Sequence, residues 1–157
     1  MFYRLNLVLH NPEIPSNTGN IIRLCHNTGS SLHLIKPLGF NFQDKNLRRA
    51  QLDYLDEVDI KVHDSFEHFI EFEKPKSLII VDTFGEKNHT DVEYVENEYF
   101  IFGSEGIGLP ENVIQNKIVR ESVRIPMKKH SRSINLSNSV SIMAYEYLRQ
   151  KKFNNLI

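Results

Sequence analysis

Two short stretches of this chain are almost wholly apolar, and they constrain its fold more than any other feature. Residues 77–83 read Ser-Leu-Ile-Ile-Val-Asp-Thr, and residues 99–102 read Tyr-Phe-Ile-Phe. A strand that is covered on one face alternates apolar and polar side chains, whereas a strand buried on both faces is apolar throughout. Both stretches are therefore predicted to be central strands of a parallel sheet with helices on its two faces.

The rest of the chain supplies strands and helices in alternation, which predicts one α/β domain over residues 1–157. Further strands are expected at residues 4–9, 32–35, 58–62 and 122–125. Helices are expected from about residue 18 to Gly29, over 44–53, from Ser65 with Phe66, Phe69, Ile70 and Phe72 facing inward, from Pro110 to about Ile118, and at the C-terminal end. Residues 85–98 are polar and receive no assignment.

The C-terminal helix follows an unusual cluster of small polar residues. Its apolar positions have the spacing of one buried helix face: Val140, Met143, Ala144, Tyr147 and Leu148. Six serines and asparagines precede or begin it: Ser131, Ser133, Asn135, Ser137, Asn138 and Ser139. A helix N-cap needs only one such residue. We therefore interpret the cluster as a ligand-binding turn, with simple capping as the alternative.

In parallel sheets, ligands bind beyond the carboxyl ends of the strands. The loops after Thr83, Phe102 and Ile125 are therefore the candidate site. The second loop reads Gly103-Ser-Glu-Gly-Ile-Gly-Leu-Pro110, which matches neither the dinucleotide pattern G-x-G-x-x-G nor a phosphate-binding P-loop. Its glycines indicate that the loop backbone closely approaches another group. Because the dinucleotide pattern is not matched, a nucleotide-dependent oxidoreductase is the least favoured function.

Composition excludes several classes of protein. With 40% apolar and 25% charged residues, the chain is neither disordered nor membrane-spanning. The net charge of −1 excludes a wholly basic nucleic-acid binder, but residues 120–132 carry five basic side chains and one acid. One cysteine, Cys25, precludes an internal disulfide and indicates a reducing, cytoplasmic setting. The seven histidines are scattered without metal-ligand spacing, so no metal is expected.

Three segments, in their order and spacing, resemble the SPOUT superfamily of RNA methyltransferases, in its ribose 2′-O-methyltransferase branch. They are Asn17-Thr-Gly-Asn-Ile-Ile-Arg23, Phe102–Pro110, and Ile125-Pro-Met through Arg132-Ser-Ile-Asn-Leu-Ser-Asn-Ser-Val140. The stretches 12–15, 37–40 and 44–54 are similar to the enzymes that methylate cytidine or uridine 34, the wobble nucleotide of tRNA. Gly106-Ile107 and Gln51 depart from the family pattern.

The resemblance implies a deep trefoil knot, S-adenosylmethionine as cofactor without a metal, a homodimer, and the anticodon stem-loop of leucine tRNAs as substrate. The implied cofactor contacts are Val81, Gly103, Ile125 and Ser133, with Leu109, Met127 and Leu136 around the adenine. The implied catalytic positions are Asn17, Arg23, Glu105, Ser133 and Asn135. The expected RNA contacts are Arg48, Arg49, Lys128, Lys129, Arg132 and Tyr145.

Several alternatives remain open at this stage. The chain is expected to be either the wobble enzyme, a 2′-O-methyltransferase for another tRNA or rRNA nucleotide, or a catalytically silent cofactor- and RNA-binding protein. Asn17 could serve only as a cap, Glu105 only as a helix-start carboxylate, and Tyr145 could be a core residue. The family arginine, here Arg23, has been given the role of general base. A guanidinium stays protonated, so we expect Arg23 to bind phosphate and stabilise the developing alkoxide instead.

Overall fold

The computed structural model describes residues 3–43, 45, 47, 55–154 and 156–157. Its centre is a seven-stranded sheet in the order β3-β2-β1-β6-β4-β7-β5, and every neighbouring pair is parallel. The strands are β1 (Asn6–His10), β2 (Ser31–Ile35), β3 (Ile60–His63), β4 (Leu78–Val81), β5 (Lys87–Asn88), β6 (Tyr99–Phe102) and β7 (Val119–Arg124). The predicted α/β class with a parallel sheet is confirmed.

Helices pack on both faces of this sheet. They are α1 (Pro15–Thr28), α2 (Phe66–Glu73), α3 (Glu111–Ile114) and α4 (Leu136–Gln150), and a 3₁₀ turn covers Leu55–Glu57. Successive side chains of a strand point to opposite faces. Accordingly, Leu7 and Leu9 of β1 belong to the core under α1 and α4, whereas Val8 belongs to the core under α2 and α3. The helix predicted over 44–53 lies mostly outside the described residues.

The apolar stretches are central strands, as predicted. In β4 and β6, Leu78, Ile79, Phe100 and Ile101 are fully buried. The predicted face of α4 is also confirmed, because its five apolar positions are at most 6% exposed. Cys25 is buried, and burial raises the pKa of its thiol to about 12. Of the described helices, none has both the length and the apolar character that a membrane crossing requires.

Several predicted boundaries are wrong. Helix α1 begins at Pro15 instead of about residue 18, because proline at the first helical position loses only a donor that has no helical partner. Its end is as predicted, since Gly29 adopts the left-handed conformation at φ 70°. Phe72 is 71% exposed rather than inward, because it lies about 120° around α2 from Phe66, away from the centre of the buried face. Helix α3 ends at Ile114 instead of Ile118.

Strand β7 begins three residues earlier than predicted, at Val119. Its outer neighbour is the two-residue strand β5, so most of β7 is only half-buried. The strand therefore carries charged residues such as Arg120 and Glu121, which concealed it in the sequence. Together, β4, β6 and β7 place three successive loops at one edge of the sheet, and the candidate site lies there.

Candidate active site

The loops that follow β4, β6 and β7 surround one cavity of about 590 Å³, to which the starts of α1 and α4 also contribute. That volume lies in the range typical of small-molecule sites. The structure thus brings together the three loops that the sequence singled out. All seven residues predicted to contact the cofactor line the cavity: Val81, Gly103, Leu109, Ile125, Met127, Ser133 and Leu136. Their contacts with a cofactor stay predictions.

The loop after β6 folds back on itself at Gly103. A Cβ atom on Gly103 would lie 2.2 Å from the carbonyl carbon of Gly108 and 2.4 Å from the nitrogen of Leu109. The return is closed by a backbone hydrogen bond of 3.1 Å from Gly108 to Ser104, and Gly108 itself has φ +72°. Gly103 is therefore required first by the loop's own backbone.

The carboxylate of Glu105 fastens this loop to the start of α1. Its Oε2 accepts a hydrogen bond from the backbone N–H of Glu13 at 2.8 Å. Its Oε1 accepts from the N–H of Ile14 and from Nδ2 of Asn17, both at 3.1 Å. Ile14 occupies the N-cap position of α1 and has no side chain that can cap it. Glu105 supplies a negative charge at that helix start from 91 residues away in sequence, where such a charge is favourable.

Asn17 also links the start of α1 to the start of α4. The Nδ2 of Asn135 donates to Oδ1 of Asn17 at 3.0 Å, while Oδ1 of Asn135 accepts from the N–H groups of Ser137 and Asn138 at 2.9 and 3.3 Å. Asn135 is therefore the N-cap of α4 as well as a cavity residue. The chain Glu105–Asn17–Asn135 ties together one residue from each of the three segments. We call it the three-segment network.

Four of the five predicted catalytic residues line the cavity, and Arg23 does not. Arg23 lies on the exposed side of α1 and makes no hydrogen bond or ion pair with any described residue. Ser133 is exposed at the cavity, and its hydroxyl has no hydrogen-bond partner in the described part of the chain. The two oxygens of Glu105 are engaged as acceptors, which suits a positioning residue better than a proton carrier.

The expected RNA-binding residues fall into three groups. Lys128, Lys129 and Arg132 are exposed on the segment between β7 and α4. Tyr145 is 47% exposed on α4, so its reading as a core residue is wrong. Arg48 and Arg49, together with the departure at Gln51, lie outside the described residues.

Sequence reasoning missed two apolar side chains at the cavity. Phe84 is 92% exposed in the loop after β4, and Ile107 is 88% exposed in the loop after β6; both line the cavity. The N–H of Phe84 donates to Asp82 Oδ1 at 3.0 Å, which holds this turn. The sequence did carry a signal for Phe84, since an aromatic residue is unusual in the otherwise small and polar turn Asp82-Thr83-Phe84-Gly85.

A second polar cluster lies away from the cavity, and it contradicts the expectation that no histidines share metal-ligand geometry. Nδ1 of His33 and Nε2 of His63 are 3.1 Å apart. Glu73 Oε1 lies 4.0 Å from the first nitrogen and 3.9 Å from the second. Burial lowers the pKa of His33 to about 4 and also lowers the pKa of His63. The sequence concealed the cluster because its members lie on three different elements.

The parallel sheet and the cavity beyond β4, β6 and β7 define an α/β protein with a cavity of small-molecule size at the carboxyl edge of its sheet. Residues 4–145 match the SpoU rRNA Methylase family, and the chain belongs to that family. It is 51% identical over 151 residues to the tRNA (cytidine(34)-2'-O)-methyltransferase of Yersinia pestis, with 93% of each chain covered.

Solved structures agree with this assignment. A structure from work on the 2-OH methylation of C/U34 on tRNA superposes with a TM-score of 0.88 at 39% identity, covering 97% of this chain and 99% of the other. The SpoU methyltransferase AviRb from Streptomyces viridochromogenes, in complex with AdoMet, has a TM-score of 0.87 at 21% identity, covering 98% of this chain and 63% of the other. At that identity, AviRb shows a shared fold.

Proposed function

We propose that this protein uses S-adenosylmethionine to methylate the ribose 2′-hydroxyl of nucleotide 34, a cytidine or modified uridine, in the anticodon loop of leucine tRNAs. The observation that carries the proposal is that all three family segments meet at one cavity, in a chain whose relative with this activity is 51% identical over 93% of its length. The choice of leucine tRNAs rests on the family resemblance alone.

The cavity fits the cofactor that the family implies. Val81, Leu109, Ile125, Met127 and Leu136 provide apolar walls of the kind that hold an adenine ring, and Ser133 offers a free hydroxyl. S-adenosylmethionine, when bound, supplies a methyl group on a positively charged sulfur as the electrophile. Two imidazoles and a carboxylate lie together elsewhere in the chain, but the described lining of the cavity contains no histidine or cysteine. The proposed transfer requires no metal.

The residues of the three-segment network position the loops and do not carry protons. Both oxygens of Glu105 accept hydrogen bonds, and the side-chain amides of Asn17 and Asn135 are engaged in the network. Their task is to hold the loops after β6 and β7 in the geometry that aligns the 2′-oxygen with the methyl group. Alignment of this kind can lower a reaction barrier by as much as roughly 7–11 kcal/mol in ideal cases.

The position of Arg23 favours a homodimer. Because Arg23 lies outside the cavity of its own chain, we propose that a second protomer completes the site. Helices α1 and α4 pack together, and α4 exposes Ile142 and Tyr145 at 37% and 47%. Pairing through these helices would cover those side chains and bring the guanidinium of one protomer to the cavity of the other. There, Arg23 would bind a phosphate and stabilise the alkoxide, and the proton would pass to phosphate or water.

The substrate would be held by its phosphates. Lys128, Lys129 and Arg132 are exposed beside the cavity-lining Met127 and Ser133. We propose that Arg48 and Arg49 also bind RNA phosphates. The unpaired bases of an RNA loop splay outward, which makes such loops accessible to a protein. We place the protein in the cytoplasm with its tRNA substrate. The trefoil knot stays a prediction from the resemblance.

The test is methyl transfer from tritiated S-adenosylmethionine to tRNA, followed by mass-spectrometric mapping of the methylated ribose. We expect label at nucleotide 34 of leucine tRNAs. Arg23→Ala should lower turnover at saturating tRNA by at least about 100-fold, with cofactor affinity within about twofold of wild type. Arg23→Lys is the matched control, since it keeps the charge but loses the two-pronged donor geometry, and it should retain part of the activity.

Three results would count against the proposal. A methylated base, or a ribose outside the anticodon loop, would overturn the substrate. Cofactor binding without any transfer would favour the catalytically silent protein. A fully active monomer in sedimentation would overturn the shared site.

A further inference from the structure

A cluster of three ionisable side chains, His33, His63 and Glu73, lies apart from the cavity and has no part in the proposed methyl transfer. It is the one group among the described residues in which three such side chains come together as metal ligands do. We propose that it binds one divalent transition-metal ion, of the zinc class, which clamps α2 to strands β2 and β3. This inference is independent of the proposed function.

The distances among the three ligand atoms carry the proposal. The separations of 3.1, 4.0 and 3.9 Å form a triangle whose centre is equidistant from its corners, at about 2.2 Å. Zinc–nitrogen bonds measure about 2.0–2.1 Å, and zinc–carboxylate bonds about 2.0–2.2 Å. A single ion at that centre would contact all three atoms after shifts on the order of 0.1 Å.

The same distances do not suit a network of direct hydrogen bonds. The two imidazoles can share one hydrogen bond at 3.1 Å. The Glu73 oxygen, at 4.0 and 3.9 Å, is too far from either ring nitrogen to accept one. The Glu73 carboxylate thus faces two imidazoles without contacting either, as expected if all three side chains share a cation.

The fold fixes the three side chains rigidly. In the register of β2 and β3, His33 pairs with Lys61, and Ile35 pairs with His63, so the two histidines are diagonal neighbours on the face that α2 covers. The His33 ring packs 5.6 Å from the rings of Phe69 and Tyr99. The histidine side chains are 1% and 3% exposed, and that of Glu73, at the end of α2, is 11% exposed.

Lys61 orients the carboxylate. Its Nζ lies 2.9 Å from Oε2 of Glu73, which leaves Oε1 directed at the histidines. Groups that hold a ligand from behind in this way commonly tune metal sites. Its positive charge also opposes a cation, so we expect weaker binding than in zinc sites built from thiolates. Two imidazoles and one carboxylate suit zinc and its neighbours in the first transition series.

The test uses the full chain, stripped with a chelator and titrated with Zn²⁺ by calorimetry, with metal content measured by mass spectrometry. We expect one ion per chain and a rise in Tm on binding. Glu73→Gln keeps the side-chain shape but removes the charge, and it should weaken Zn²⁺ affinity at least about tenfold. His130→Ala, which removes an exposed histidine of another loop, is the matched control and should leave the Zn²⁺ affinity unchanged.

A second measurement covers the case in which Glu73→Gln does not fold. In the wild-type chain, Zn²⁺ should shift the imidazole nitrogen resonances of His33 and His63 and leave those of His130 in place. The proposal is overturned if the stripped chain binds no Zn²⁺, or if only exposed histidines respond. It is also overturned if a folded Glu73→Gln variant binds Zn²⁺ as the wild type does. Methyl-transfer activity does not enter either readout.

Discussion

Replacing Glu105 by alanine tests whether the three-segment network holds the site together. The change removes three hydrogen bonds to one carboxylate, from the backbone of Glu13 and Ile14 and from the amide of Asn17. A hydrogen bond to a charged group contributes about 1.5–3 kcal/mol when it is sheltered from water. The two backbone donors are exposed, so water can replace the carboxylate there at a cost nearer about 0.5–1 kcal/mol each.

The third hydrogen bond is the costly one. Asn17 is only 5% exposed, and without Glu105 its Nδ2 loses its acceptor in a site that water reaches poorly. Adding about 1.5–2 kcal/mol for this loss gives a destabilisation of about 3 kcal/mol. For a chain of this length, that corresponds to a fall in Tm of about 6–12 °C. Total stabilities run to about 5–15 kcal/mol, so most of the protein should still fold.

The assay is urea unfolding of Glu105→Ala and Glu105→Gln, with S-adenosylmethionine affinity measured on both by calorimetry. Glutamine keeps one acceptor oxygen, so we expect about half the loss of stability. Both variants should bind the cofactor at least about tenfold more weakly, because the loop after β6 is no longer fastened to α1. Glu71→Ala, an exposed carboxylate on α2, is the control and should stay within about 0.5 kcal/mol of wild type. If Glu105→Ala matches that control in stability and keeps full cofactor affinity, the network does not hold the site.

Other substitutions test neighbouring features. Gly103→Ala should abolish measurable cofactor binding, because its Cβ would meet backbone at 2.2–2.5 Å. Gly106→Ala would meet only the Glu13 carboxylate, at 3.1 Å or more, and should bind within about threefold of wild type in the same calorimetric titration. Lys128→Ala with Lys129→Ala should weaken tRNA affinity and reduce the slope of log affinity against log salt by about 1.4, at roughly 0.7 per single-strand phosphate contact; an unchanged slope would exclude both lysines from the interface. Cys25 should resist thiol reagents in the folded protein up to about pH 9 and react at once in denaturant, since burial raises its pKa to about 12; rapid labelling of the native state would contradict this.

Sequence patterns predicted the parts of this structure that depend on local periodicity. Strands β4 and β6 stood out because burial on both faces requires an unbroken apolar run, and α4 stood out because its core face repeats with the helical period. Strand β7 was cut short because a half-buried strand can carry Arg120 and Glu121. The start of α1 was missed because its cap comes from Glu105, far away in the chain.

The candidate site was predictable as a set of loops but not as a set of contacts. The cavity was located by the rule that ligands bind beyond the carboxyl ends of parallel strands, and the family motifs supplied its lining residues. The motifs could not show that Glu105, Asn17 and Asn135 bind one another, because 88 and 118 residues separate Asn17 from its two partners. Nor could they show that Arg23 lies outside the cavity of its own chain. The histidine cluster was hidden for the same reason, since 30 residues separate its two rings.

The cap that Glu105 provides across the chain also makes two backbone amides into reporters of the active site. The N–H groups of Glu13 and Ile14 are bonded only to that carboxylate among the described residues. Their exchange with solvent deuterium should therefore be slowed only while the loop after β6 is closed onto α1. Opening of that loop would raise their exchange rates while those of the buried strands stayed low. Two amides that lie outside the loops around the cavity would then report, in real time, when the loop after β6 opens.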